Sequence, residues 1–274
     1  GSRNTENRGK IQRYKCNKCG YRFTVNDGFF RMRNSPQKIS LCLDMYFRGV
    51  SLRKIQEHLK AFYPHNSSHE AIHSWVDRYP LMIGEFTDNL KINSGSEIEV
   101  DEMEYKTKGC QSWFIDSIDT KTRFMVASGF SKSRGKDEIR DVIKEIKRKT
   151  GKNVRVITTD GYHAYRNIIN KTYGYNLSKM NYNIMHKTKN ASRGEGFNHK
   201  IERLHNNIRE RTKVFRGFKS IKSAKSIMKG YEIFYNFIRR HQAINCCPYE
   251  LATDLKLVER NKWLELIRLS MRKK

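Results

Sequence analysis

The chain has 274 residues, which is room for one large core and one or two small modules. Its 55 lysines and arginines face only 28 aspartates and glutamates, for a net charge of +27. Such an excess goes beyond solubility and suits a polyanionic partner, either as a phosphate-backbone binder or as a generally basic packaging or ribosomal protein. A hydrophobic share of 37% argues against wholesale disorder, and no run nears the ~20 apolar residues of a membrane span. The six cysteines follow no disulfide framework, so a reducing interior, cytoplasm or nucleoid, is expected.

Residues 3–33 are basic and turn-rich and contain Cys16-Asn17-Lys18-Cys19-Gly20. Cys16 and Cys19 have the spacing of half a zinc site, a partial zinc-ribbon-like segment. A structural zinc needs four ligands. One pair predicts no stable zinc here, and Zn²⁺ would belong to a longer natural chain that carried a second pair. Residues 35–92 then show three helical patterns. The first starts at Pro36, with Ile39, Cys42, Leu43, Tyr46 and Phe47 on one face, and closes at Gly49. Ser51 is placed to cap the second, which buries Leu52, Ile55 and Leu59. Ser67 and Glu70 have capping-box spacing ahead of Ile72, Trp75, Val76 and Tyr79. Three helices with a short glycine turn describe an all-α helix-turn-helix, or else a three-helix piece of a larger core. In the first reading His69, Glu70 and His73, exposed early in the third helix, face the DNA groove.

Asn93-Ser94-Gly95-Ser96 reads as a linker. Beyond it the hydrophobic period changes from helical to alternating. Ile98 and Val100 alternate with Glu97, Glu99 and Asp101, and further strands are predicted over 112–118 and 124–130. A helix over 136–148 buries Ile139, Val142, Ile143 and Ile146. A β-branched strand over 154–159 ends at Asp160. Three strands, a helix and another strand predict an α/β domain with a mixed sheet, assigned to 95–245, followed by a helical tail over 246–274.

Asp101 lies within its strand and Asp160 ends its own, so neighbouring strands would bring the two within metal-bridging distance. Hard carboxylate oxygens suit Mg²⁺ or Mn²⁺, and phosphodiester chemistry uses two such ions. A third carboxylate normally completes the set. Glu202, on an otherwise cationic helix, is the candidate, although by itself it reads equally as a surface ion pair with Arg203 or Lys200. Glu195 is a rival, placed between glycines in a loop. Asp119 reads as a turn residue and Glu102 as a support for a ligand. His205 shares a helix face with Glu202 and would position a phosphate or serve a structural role. Trp75 and Trp113 read as core. Arg209, Arg211, Lys213, Arg216 and Lys219 form a cationic run fit to line a DNA channel or to make a solvated face.

These residues resemble the DDE transposases of bacterial and archaeal insertion sequences, in which a helix-turn-helix precedes an RNase H-like catalytic domain. The likeness runs from about Cys16 to Leu255. It is carried by Gly49-Val50-Ser51-Leu52-Arg53-Lys54-Ile55, by Ile72–Tyr79, by Val100-Asp101-Glu102, and by Thr159-Asp160-Gly161-Tyr162-His163-Ala164-Tyr165. The most specific stretch is Ile201-Glu202-Arg203-Leu204-His205 followed by Arg216-Gly217-Phe218-Lys219-Ser220. Segments 235–243 and Pro248-Tyr249-Glu250-Leu251-Ala252 extend it. The resemblance implies that Asp101, Asp160 and Glu202 are the catalytic, metal-holding residues and that Glu195 is not. The gap between Asp160 and Glu202 exceeds the family's usual spacing, with the excess expected in the 174–196 loop, and Met103 stands where threonine is usual. Also implied are hydrolysis at the transposon end, then in-line attack of the freed 3′-hydroxyl on target DNA. The partners would be double-stranded DNA (terminal inverted repeats and target) and a second copy of the chain, with no membrane. The residues themselves leave open a catalytically silent DNA-binding regulator and an RNase H-like nuclease without strand transfer.

Overall fold

The computed structural model describes residues 1–5, 9–63, 67–178, 180–189, 198–213 and 217–272. Two compact units divide the chain, one of residues 1–87 with 257–274 and one of 88–256.

The first unit opens with two small hairpins, β1 (Ser2–Thr5) with β2 (Gly9–Gln12) and β3 (Tyr14–Lys15) with β4 (Arg22–Phe23). Cys16 and Cys19 lie in the turn of the second, where Cys16 N–H donates to the Tyr21 carbonyl and Gly20 N–H to that of Cys16. Three helices follow: α1 (Pro36–Phe47), α2 (Leu52–Phe62) and α3 (His69–Thr87). The hydroxyls of Ser35 and Ser51 accept from the N–H three residues on, capping α1 and α2. The third cap differs from expectation. Ser67 is buried and donates to Asn34 Oδ1 at 2.8 Å, while Ser68 accepts from Ala71 N–H. A burial-driven contact 33 residues away in sequence took the first serine, and its neighbour supplied the cap.

The second unit holds β5 (Glu97–Thr107), β6 (Cys110–Asp119), β7 (Met125–Ser131), α4 (Lys136–Thr150), β8 (Val156–Thr159) and α5 (Ala164–Tyr173). After these come β9 (Tyr175–Asn176), β10 (Asn181–Tyr182), β11 (Met185–Thr188), α6 (His199–Thr212), α7 (Ile221–Ile233), a π-helical turn (Phe234–Ile238) and α8 (Pro248–Ala252). Five strands form one mixed sheet in the order β11-β8-β5-β6-β7. The β5-β6-β7 meander is antiparallel, and β8 and β11 are parallel to β5. This is the RNase H-like order. The 174–196 segment, expected as loop, contains the fifth strand, too short and polar to read from its pattern. Asp119 is the predicted turn residue: its buried carboxylate accepts from the N–H groups of Gly95, Lys121 and Thr122 and from the Thr122 hydroxyl.

The predicted tail over 246–274 is corrected. Residues up to 256 belong to the second unit, while α9 (Lys262–Arg272) belongs to the first and packs on α1 and α3. Trp263 stacks on Phe47 and donates to Asp44 Oδ1, and Leu264, Leu266 and Ile267 are buried. Burying each such side chain stabilises by about 1.5–3 kcal/mol, reason enough for a distant helix to close the first bundle. None of the described helices is long and apolar enough to cross a membrane.

Candidate active site

The β5–β8 ladder pairs Glu97 with Val156, Ile98 with Ile157 and Glu99 with Thr158. Continuing the same register two residues on sets Asp101 beside Asp160. This explains how an aspartate inside one strand meets an aspartate ending another: β8 stops at Thr159, and β5 runs on. Among the described residues nothing pairs with that side of β5 until Phe218 bridges to Thr107. Carboxylates from both faces of β5 converge on this open edge. Asp101, Glu102 and Asp160 each offer an oxygen, and the three atoms lie within 4.8 Å of one another.

Each carboxylate is held differently. Asp101 Oδ1 accepts from Glu102 N–H at 2.8 Å, and Asp160 Oδ1 from Tyr162 N–H at 2.9 Å. The Glu102 side chain is buried and meets Arg134 Nε at 3.2 Å, whose Nη2 lies 3.8 Å from Asp160. That guanidinium packs on the Tyr162 ring at 4.1 Å and the Trp113 ring at 5.2 Å. Trp113 is therefore a half-buried platform for Arg134 rather than a core residue, whereas Trp75 is core as expected. Burial pushes Asp101 up to about 6 despite the opposing pull of His205, and burial together with Asp160 pushes Glu102 up to about 7. Buried Tyr165, against Glu102, is raised well above 10.

Helix α6 runs along β5 in the same direction. Its first N–H groups, of Lys200 and Ile201, donate to Glu99 Oε2, a carboxylate at a helix N-terminus. One turn on, His205 Nε2 meets buried Asp116 Oδ1 at 2.7 Å and its Nδ1 lies 3.6 Å from Asp101 Oδ2. Although burial disfavours the charged ring, Asp116 outweighs it and the His205 pKa is raised. Near the helix end, Thr212 reaches the Tyr105 hydroxyl.

Asp101 and Asp160 come together as expected. Glu202 lies in the first turn of α6, on the same flank as His205, but its carboxylate is not among the close three-oxygen group. Glu195 and Arg216 lie outside the described residues. Arg209, Lys213 and Lys219 are exposed, but Arg211 is 5% exposed, which withdraws it from a DNA channel: it falls on the core face of α6 with Leu204 and Ile208. His69, Glu70 and His73 open α3, with His69 paired to Glu70 and His73 to Asp77. Cys16 and Cys19 belong to no group of three or more potential metal ligands among the described residues. Arg134 and Asp116 were missed as site residues. Arg134 sits in a loop with no periodic signal, and the role of Asp116 emerges only from its antiparallel pairing with Asp101.

The second unit thus has a sheet in RNase H-like order, with two aspartates meeting across its parallel register. Residues 95–241 match the family model described as the DDE domain, and the chain belongs to this family of DDE transposases and integrases, which act on DNA. A Spiroplasma virus SpV1-C74 protein, ORF3, named as an integrase, is 29% identical over 161 residues, 54% of this chain and 43% of the relative. The chain thus spans less than half the length of that relative. Among solved structures, the HTLV-2 integrase catalytic core domain in complex with magnesium is 16% identical with a TM-score of 0.39, covering 58% of this chain and 96% of that one. A chain of the simian T-cell lymphotropic virus intasome in complex with the PP2A regulatory subunit B56 gamma is 11% identical with a TM-score of 0.44, covering 81% and 77%.

Proposed function

We propose that the chain is a transposase that binds transposon-end DNA, cleaves it by metal-dependent hydrolysis and joins the 3′-hydroxyl to target DNA by transesterification. The observation that carries this reading is the meeting of Asp101 and Asp160 at the open edge of β5, within the matched domain. The donor set fits a divalent cation. Three oxygens converge, all are hard, and burial raises two of the groups, an arrangement that a cation would relieve. Asp101 and Asp160 would hold Mg²⁺ or Mn²⁺, with Glu202 closing the set from α6. Bound divalent ions stabilise the charge on the phosphate and activate the attacking oxygen.

The chain's own residues do the rest. Glu99 anchors the start of α6, and the Asp116–His205 pair holds Asp101 from behind. Arg134, braced on Tyr162 and Trp113, offsets the negative charge of Glu102 and Asp160. His69, Glu70 and His73 on α3 would read the DNA end, while Arg209, Lys213 and Lys219 would contact its backbone. Synapsis of two ends calls for a homodimer, acting on DNA inside the cell.

The test incubates labelled candidate terminal-repeat DNA with a target plasmid and Mg²⁺. Joined product supports the proposal. Cutting without joining points to a nuclease, and binding without cutting to a silent regulator.

A further inference from the structure

A second site lies across α6 from the acidic cluster. The core face of this helix carries Ile201, Leu204, Ile208 and Arg211. At 100° per residue, Glu202, His205 and Arg209 fall toward one flank, the side on which His205 reaches Asp101. Lys200, Arg203 and Asn207 fall on the other. There they line a cavity of about 300 Å³ with Arg123, from the β6–β7 turn, and Arg239 and Arg240, from the end of the π-helical turn. Five cations line it and, among the described residues, no carboxylate does.

This contrasts with the way the same unit treats its other inward cations. Lys149 and Lys229 meet Asp88, and Arg134 meets Glu102. The cavity also has a firm floor. His241 meets the Tyr235 carbonyl at 3.0 Å and packs edge-on against the Tyr235 ring, and Arg240 donates to Asn245. Its size is that of a small ligand pocket, but such pockets are mostly apolar, and this lining instead calls for a polyanion.

We infer that the cavity lined by Arg123, Lys200, Arg203, Arg239 and Arg240 grips a backbone phosphate of the DNA whose scissile bond lies at the acidic cluster. The inference rests on the proposed function for the identity of that DNA. One helix diameter, about 10–12 Å, separates the two flanks, or roughly three base steps at 3.4 Å each. The pocket would hold the duplex in position without reading its sequence.

The test uses the full chain and measures duplex binding by fluorescence anisotropy across a salt series. Arg203 and Arg240 are exposed, so the double variant Arg203→Gln/Arg240→Gln is expected to fold. It should bind at least tenfold more weakly and lower the slope of log K against log salt by about one. Arg203→Lys/Arg240→Lys should recover most of the slope. An unchanged slope in a folded Gln variant overturns the pocket, as does failure of the wild type to bind duplex DNA or of the lysines to rescue. A wild type that never joins strands, yet loses the slope on substitution, would sink the transposase reading and leave the pocket standing.

Discussion

The carboxylates at the edge of β5 are buried and crowd one another, and the fold holds them together at a cost. Asp101 is raised to about 6 and Glu102 to about 7, both above ordinary carboxylate values. Between about pH 4 and 7 the folded chain therefore binds more protons than the unfolded one, so these two groups lower stability as pH rises. A divalent cation competes with those protons. The rise in Tm produced by millimolar Mn²⁺ should grow from pH 5 to 7.5, and a pH-independent rise would contradict the assignment. Asp101→Asn and Asp160→Asn should each lower strand joining by roughly 10²–10³-fold or more while circular dichroism stays unchanged. Glu202→Gln distinguishes the ligand sets. It should weaken Mn²⁺ binding as Asp101→Asn does. If Glu102→Gln does so and Glu202→Gln does not, the third ligand is the neighbour on the strand.

The Gly217-Phe218 segment shows what an element-level motif is for. Phe218 exchanges backbone hydrogen bonds with Lys106 and Lys108, extending the sheet past Thr107, and its ring packs on Tyr105 and Phe130. Gly217 has φ +101° there, and a Cβ would stand 2.9 Å from the Lys106 carbonyl oxygen. Gly217→Ala should cost about 1–3 kcal/mol in chemical denaturation and should disturb the register of β5 above Asp101. A neutral result would mean that the bridge is dispensable. Asn236, in the π-helical turn, has a comparable role: its side chain pairs with both backbone groups of Met125, fixing the end of α7 on β7. These contacts show why the segments around Phe218 and Asn236 are polar or aromatic at particular points and not merely apolar.

Across the second unit, a buried charge network ties together its start, α4 and α7. Lys229 Nζ meets Asp88 at 3.0 Å and Glu232 at 2.9 Å, Lys149 also reaches Asp88, and Glu232 accepts from the Ser128 hydroxyl. Removing the shared ammonium strands Glu232, which is 4% exposed. Lys229→Ala should destabilise by about 2–4 kcal/mol, measured by urea denaturation, whereas the double change Lys229→Met/Glu232→Gln should recover some of the loss. Within the second unit some acidic groups are gathered at the site or in this network while others, such as Asp137, stay exposed, and five cations line the cavity beside α6.

Periodicity and capping residues made α1, α2 and α3, the β5-β6-β7 meander, α4 and β8 legible, because each has a local pattern that local physics enforces. The two aspartates were legible as residue types at strand positions, and the family resemblance supplied their pairing with Glu202. What lay beyond reach was everything that joins distant segments: the parallel register that sets Asp101 beside Asp160, the polar fifth strand, the Ser67–Asn34 contact that moved a cap, and the return of α9 to the first bundle. Composition alone pointed to a polyanionic partner, through a net charge of +27. Where its cations gather, on the flank of α6 away from the acids, was decided by tertiary structure, because helix phase and sheet register acquire a direction only when the elements pack.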